Sequence, residues 1–230
     1  MSTAKIVHFS DILCVWAYVA QSNLARLAEE FGDQLEIEVR YCSVFPDCHG
    51  KIGRMWKDRG GFEGYAAHVR DVVGKFPGAE LHDGTWFETR PRSSASPHQF
   101  IKVVELLESE VGKPAGSLDQ SMGFQAAKAL RQAFFVEAQD ISHWDVQREV
   151  AGRIGVDFDE VLKRYESGEA IARLVADYEL AQTMKIEGSP TYVLNEGRQR
   201  LYGNVSYNIV AANVREVLNN KVQEQASACA

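Results

Sequence analysis

The chain has 230 residues, enough for one large domain or two closely packed ones. Apolar residues make up 45% and the formal net charge is −7. That is the composition of a globular protein with an ordinary core, and its acidic balance argues against nucleic acid and anionic lipid surfaces as partners. No apolar run reaches the roughly 18 residues of a membrane-spanning helix. The opening ten residues read as a strand rather than a secretory leader, so a cytoplasmic location without membrane association is expected.

Lys5–Phe9 is short, apolar and partly β-branched, which predicts a first strand ending at Ser10-Asp11. A helix follows over Val15–Phe31, with Val19, Leu24, Leu27, Ala28 and Phe31 at helical spacing and Gly32 as its stop. Gln34–Cys42 alternates, with Leu35, Ile37, Val39 and Tyr41 facing one way and Glu36, Glu38 and Arg40 the other, as in a half-exposed strand. A right-handed crossover makes these two strands parallel. The stretch from Phe45 to Pro97 is rich in glycine, histidine and aromatics, and predicts one helix at Gly61–Lys75. If it borders a cleft, it supplies specificity.

From Ser96 the pattern is helical. Ser96-Pro97-His98-Gln99 has the form of a capping box, followed by Phe100, Val103, Val104, Leu107 and Val111 on one face. Further helices are predicted at Phe124–Ala138, from Ser142-His143-Trp144-Asp145 to Gly155, at Asp157–Ser167 and at Ala170–Met184. Gly188-Ser189-Pro190 breaks this regime. Thr191–Leu194 and Arg200–Tyr202 form a predicted hairpin across Asn195–Arg198, and a last helix covers Asn208–Asn220 before a frayed tail. The order is β-α-β, a helical block, then β-β-α: an α/β fold with one mixed sheet and an inserted all-helical domain.

The four cysteines are Cys14, Cys42, Cys48 and Cys229, with no C-x-x-C pair. A reducing compartment would keep them as thiols. Cys42, Cys48 and adjacent His49 come nearest to a metal pattern but lack two further ligands, so no metal is expected. Cys14 falls between the first strand and the first helix. A thiol there faces unpaired amides and the positive end of the helix dipole, both of which favour thiolate. The same position also suits a small buried apolar residue. Asp11 reads as a helix cap, since a carboxylate beside the thiol would oppose ionisation. Trp16 and Tyr18 read as core or cleft wall, and His82, His98 and His143 as surface or capping residues.

Ser10-Asp11-Ile12-Leu13-Cys14-Val15-Trp16-Ala17-Tyr18 resembles the active-site segment of DsbA-like thioredoxin-fold proteins, nearest the FrnE-like branch with its Ser-Asp-x-x-Cys-Pro-Trp-Cys-Tyr pattern. The departures are Val15, where that pattern has proline, and Ala17, where it has the second cysteine. Gly188–Val193 resembles the family's cis-proline loop, Gly203-Asn204 its following turn, and the helices around Asp140-Ile141-Ser142 its helical insertion. The poorly matching stretch is Cys42–Arg92.

The resemblance implies a thioredoxin-like domain of residues 1–50 and 186–225 and a helical insertion of residues 51–185. It implies Cys14 as a monothiol nucleophile beside a cis Pro190, where the residues alone favour a trans proline opening a strand. A thiol- or disulfide-containing small molecule or protein would be the partner, with glutathione as candidate co-substrate and no other cofactor. Trp16, Ser189, Pro190, Asn204 and Ser206 would bind substrate, and Cys42 or Cys48 could supply a resolving thiol. Related kappa-class glutathione transferases and 2-hydroxychromene-2-carboxylate isomerases open a second enzymatic reading on small aromatic electrophiles. A binding module that kept the fold is a third. Relatives are often homodimers, which makes a homodimer part of the expectation.

Overall fold

The computed structural model describes residues 3–112 and 118–219; the predicted tail with Cys229 and the last residue of the final predicted helix lie outside the described residues. Strand β1 (Ala4–Ser10) runs into helix α1 (Val15–Phe31), which returns to strand β2 (Leu35–Tyr41). β1 and β2 pair in parallel with Ser10 opposite Tyr41, as the right-handed crossover requires. Strand β3 (Thr191–Leu194) pairs antiparallel with β1, and β4 (Gln199–Tyr202) antiparallel with β3, giving the order β2-β1-β3-β4. The hairpin turn uses positive φ at Asn195, Glu196 and Gly197. Helix α9 (Tyr207–Asn219) completes the β-β-α unit.

Between β2 and β3 the chain is helical: α2 (Cys48–Met55), α3 (Gly61–Val73), α4 (Ala95–Val111), α5 (Met122–Arg131), α6 (Trp144–Arg153), α7 (Phe158–Glu166) and α8 (Glu169–Thr183). The sheet separates two apolar clusters. On one face, Ile6, Tyr192 and Leu194 meet Leu24 and Leu27 of α1 and Val210 and Val214 of α9. On the other, Phe9, Cys42 and Val193 meet Ala181 of α8. A third and larger cluster extends from Leu13–Ala17 through the helical block to Leu174, so the start of α1 is set into the core shared with the insertion.

Three local features differ from the sequence expectations. Helix α2 forms where no element was predicted, burying Cys48 and Ile52 despite the weak helix formers Gly50 and Gly53. Helix α4 begins at Ala95, so Ser96 is inside the helix rather than its cap. Ser93 Oγ accepts from Ala95 N at 3.0 Å, while the Ser94 hydroxyl is turned inward to Asp11. The helix predicted over Phe124–Ala138 is α5 followed by a π turn at Gln132–Val136, whose carbonyls at Phe134 and Phe135 both lie within hydrogen-bond reach of Thr85 Oγ1.

Candidate active site at Cys14

Cys14 is the residue immediately before α1, with extended backbone dihedrals that turn the chain into the helix. The Ser189-Pro190 bond is cis, and it places the Ser189 carbonyl 3.1 Å from Cys14 Sγ, which donates to it. The sulfur is therefore a thiol with its proton engaged. Burial pushes the thiol above its ordinary range, and the Asp11 carboxylate adds to that. The Ala17 and Trp16 amides at the helix mouth pull the other way but do not outweigh desolvation. The expectation of a standing thiolate is corrected accordingly: the dipole acts, and burial at 6% exposure is the larger effect.

Asp11 does not cap the helix. It is fully buried and gathers three segments around the cysteine. Oδ1 accepts from Leu13 N at 2.9 Å, and Oδ2 accepts from Val44 N and Phe45 N at 2.9 Å each and from the Ser94 hydroxyl at 2.8 Å. Its own N–H donates to Ser189 Oγ at 2.8 Å, fastening the cis-proline loop to the end of β1. His98, expected at the surface or as a cap, is fully buried beside this hub. Its Nε2 accepts from Ile12 N at 3.0 Å, which leaves Nδ1 to donate to Tyr178 Oη at 3.1 Å. Burial drives its pKa well below the usual imidazole range, so it serves as a neutral acceptor. Sequence reasoning missed this role because nothing local to His98 points to Ile12.

Cys14 opens into a cavity of about 370 Å³. Trp16, Phe45, Ile52, Trp56 and Tyr65 form much of its wall, with Ser189 beside the sulfur. Met55 and Tyr202, 57% and 62% exposed, stand at its rim. Trp86 lies behind, fully buried, with its ring 5.5 Å from Phe45 and 5.2 Å from Tyr65. Of the aromatics in the Phe45–Pro97 stretch, Trp56 and Tyr65 line the cavity and Trp86 is core. A second cavity of about 680 Å³ holds Asn204 and Ser206 together with Gln21 and Phe76. Asn204 and Ser206 are thus not in the Cys14 cavity. Trp16 lies between the two, its ring edge-on to Phe76 at 6.3 Å.

Cys42 and Cys48 are buried free thiols. Cys42 belongs to the cluster on the α8 face of the sheet and does not line the Cys14 cavity, and burial raises its pKa strongly. Cys48 shares the cluster of Cys14, and burial pushes it up to about 12. Among the described residues, no group of three or more histidine, cysteine or acidic side chains is placed to hold a metal ion.

A parallel β-α-β unit joined to an antiparallel β-β-α unit, with a cis proline against a cysteine at the mouth of the first helix, defines a thioredoxin-type fold, here with a helical insertion. A family model described as thioredoxin matches residues 113–211. The cytosolic disulfide reductase DsbM from Pseudomonas aeruginosa superposes with a TM-score of 0.64 at 18% identity, covering 96% of this chain and 100% of that one. A 2-hydroxychromene-2-carboxylate isomerase structure gives 0.64 at 16% identity, with the same coverage. In sequence, the ClpXP adapter protein SpxH of Halalkalibacterium halodurans is 24% identical over 231 residues, covering 96% of this chain and 70% of that protein. The chain shares the thioredoxin-type fold of these structures, and three residues after Cys14 it carries Ala17.

Proposed function

We propose that the chain is a monothiol thiol–disulfide oxidoreductase working through a Cys14–glutathione mixed disulfide. The observation that carries this reading is the contact of Cys14 Sγ with the Ser189 carbonyl before cis Pro190, in a site whose next cysteine position is Ala17. The Cys14 sulfur attacks the glutathionyl sulfur of a mixed disulfide, the substrate thiol leaves with the proton, and Cys14 becomes glutathionylated. A second glutathione thiol then attacks, regenerating Cys14 and releasing glutathione disulfide. With alanine at position 17, the resolving thiol comes from glutathione rather than from within the motif.

The ligand backbone would lie along Ser189-Pro190 by strand addition, with Trp16 beneath it. A tripeptide spans about 10 Å when extended. Its γ-glutamyl end would cross the Trp16–Phe76 edge to Asn204, Ser206 and the N-terminus of α9. A solved structure of the cytosolic disulfide reductase DsbM with GSH superposes on this chain at a TM-score of 0.62, which supports the choice of thiol. The cytosolic setting of that relative agrees with the cytoplasmic location proposed for this chain.

The aromatic wall of the Cys14 cavity favours a second reading, a glutathione-dependent isomerase or transferase on a small aromatic electrophile. One experiment separates the readings. The protein is treated with glutathione disulfide, and its peptides are mapped by mass. Oxidoreductase action predicts an adduct on the Cys14 peptide, absent in Cys14→Ser and released by reduced glutathione. Adducts confined to Cys42 or Cys48 refute it. No adduct together with no glutathione binding leaves the binding-module reading, which the adapter relative supports.

A further inference from the structure

Arg131, at the end of α5 where the π turn begins, is 4% exposed. Its Nη2 donates to Ser10 Oγ at 2.6 Å and its Nη1 to Gln21 Oε1 at 3.1 Å, while Nε has no partner. Among the described residues, no carboxylate comes within ion-pair distance of it. A buried guanidinium without a counter-ion is costly, and it calls for a negative charge nearby at some stage of the protein's work. The bonded path leads to the site: Arg131 to Ser10, the next residue Asp11 to Ser189 Oγ, and the Ser189 carbonyl to Cys14 Sγ.

We propose that Arg131 is a positioning residue for Cys14: fixed by Ser10 and Gln21 behind the end of β1, its guanidinium is the buried positive charge that lets the Cys14 sulfur become anionic during exchange. This rests on the reading of Cys14 as the nucleophile. Burial pulls the Arg131 pKa down, and the acidic groups whose fields oppose this are Tyr41, Cys14, Asp11 and Tyr192, which puts Cys14 and Asp11 among its neighbours. The other groups around the thiol do not supply this charge. Asp11, Tyr65 and Cys42 can contribute only negative or neutral forms. Glu187 is exposed at the loop, and His68 on α3 is partly buried, which lowers its pKa and keeps it neutral. Lys51 on α2 donates to the Val44 carbonyl at 2.5 Å and is partly exposed, so water and salt screen it. Protein surrounds Arg131 on all sides, and a buried charge is screened much less.

The test is the rate of Cys14 alkylation by iodoacetamide as a function of pH, followed on the Cys14 peptide. Arg131→Met is expected to slow the reaction at about pH 8 by roughly tenfold, one pKa unit. Arg131→Lys, which keeps the charge, should restore it to within about threefold of the parent. Gln21→Glu sets a carboxylate against Nη1 without emptying the site, and should slow alkylation by about threefold or more through neutralisation of the guanidinium. If Arg131→Met does not fold, Gln21→Glu alone decides. Folded Gln21→Glu alkylating at the parent rate overturns the proposal, as does folded Arg131→Met doing so. Alkylation needs no glutathione, so an Arg131 effect seen without any glutathione adduct rejects the proposed co-substrate and leaves this inference standing.

Discussion

Replacing Asp11 by alanine probes the arrangement on which the site depends. Four donors converge on this carboxylate, three of them backbone amides that come from two separate segments. Alanine leaves the Leu13 and Phe45 amides buried without acceptors, while the part-buried Val44 amide can reach water. Each buried amide so orphaned costs about 1–3 kcal/mol, and loss of the Ser94 bond to a charged acceptor adds to this. Relief of the desolvation that holds the Asp11 carboxyl pKa up offsets part of the loss. A net cost of about 4 kcal/mol follows, roughly 8–16 °C in Tm for a chain of this size. Urea denaturation at neutral pH measures it, with Ser94→Ala as the partial variant. The second readout moves the opposite way. Asp11 is one of the causes that raise the Cys14 pKa, so alkylation of the still-folded variant should be faster than that of the parent near neutral pH. A loss under about 1 kcal/mol, the size of one ordinary hydrogen bond, would show that the four contacts do not hold the loops together. Slower alkylation would show that Asp11 does not oppose thiolate formation.

Other perturbations test neighbouring parts of the argument. Burial lowers His8 to about 3 and takes His98 well below its usual range. Both are depressed bases, so their contribution is present above the unfolded imidazole value of about 6.5 and is lost as pH falls, at up to about 2.7 kcal/mol per pH unit for the two together. Asp11, with its raised pKa, works in the opposite sense at lower pH. Urea midpoints taken across this range should fall steeply, and His8→Phe should halve the slope. Gly64→Ala would put a Cβ 1.7 Å from the Arg59 carbonyl oxygen. Backbone has to move beside Trp56, and a loss of about 3 kcal/mol is expected, readable in a thermal melt. Ala17→Cys would create a thiol three residues after Cys14, within the spacing a disulfide needs. On mild oxidation the introduced thiol should form a reversible disulfide with Cys14, seen by mass mapping, and its absence would mean that the mouth of α1 cannot adopt disulfide geometry.

Much of this site is legible locally. The end of β1, the start of α1 and the X-Pro step before the hairpin are short-range patterns that put Cys14, Ser189 and Pro190 at element ends, while their joining into one site with a cis proline is what the family resemblance implies. What holds them follows from contacts 33 to 178 residues apart, such as Asp11 with Val44, Ile12 with His98 and Asp11 with Ser189. Amphipathic reading places polar residues outside, and it fails on α4, which is buried around most of its circumference and carries His98 and Lys102 inward. Lys102 pairs there with Asp177 at 2.7 Å, and an isolated helix pattern cannot reveal a partner on α8. Arg131 left a fainter trace: it falls at helical spacing from Phe124, Ala127 and Phe134, a cation on an apolar stripe. The Ser96 capping pattern failed for a related reason. The chain enters α4 earlier because the Ser94 hydroxyl serves the buried Asp11 carboxylate, and that tertiary bond overrides local cap chemistry. Cys14 is written in a local motif, while the burial that raises its pKa is completed by elements far away in the chain.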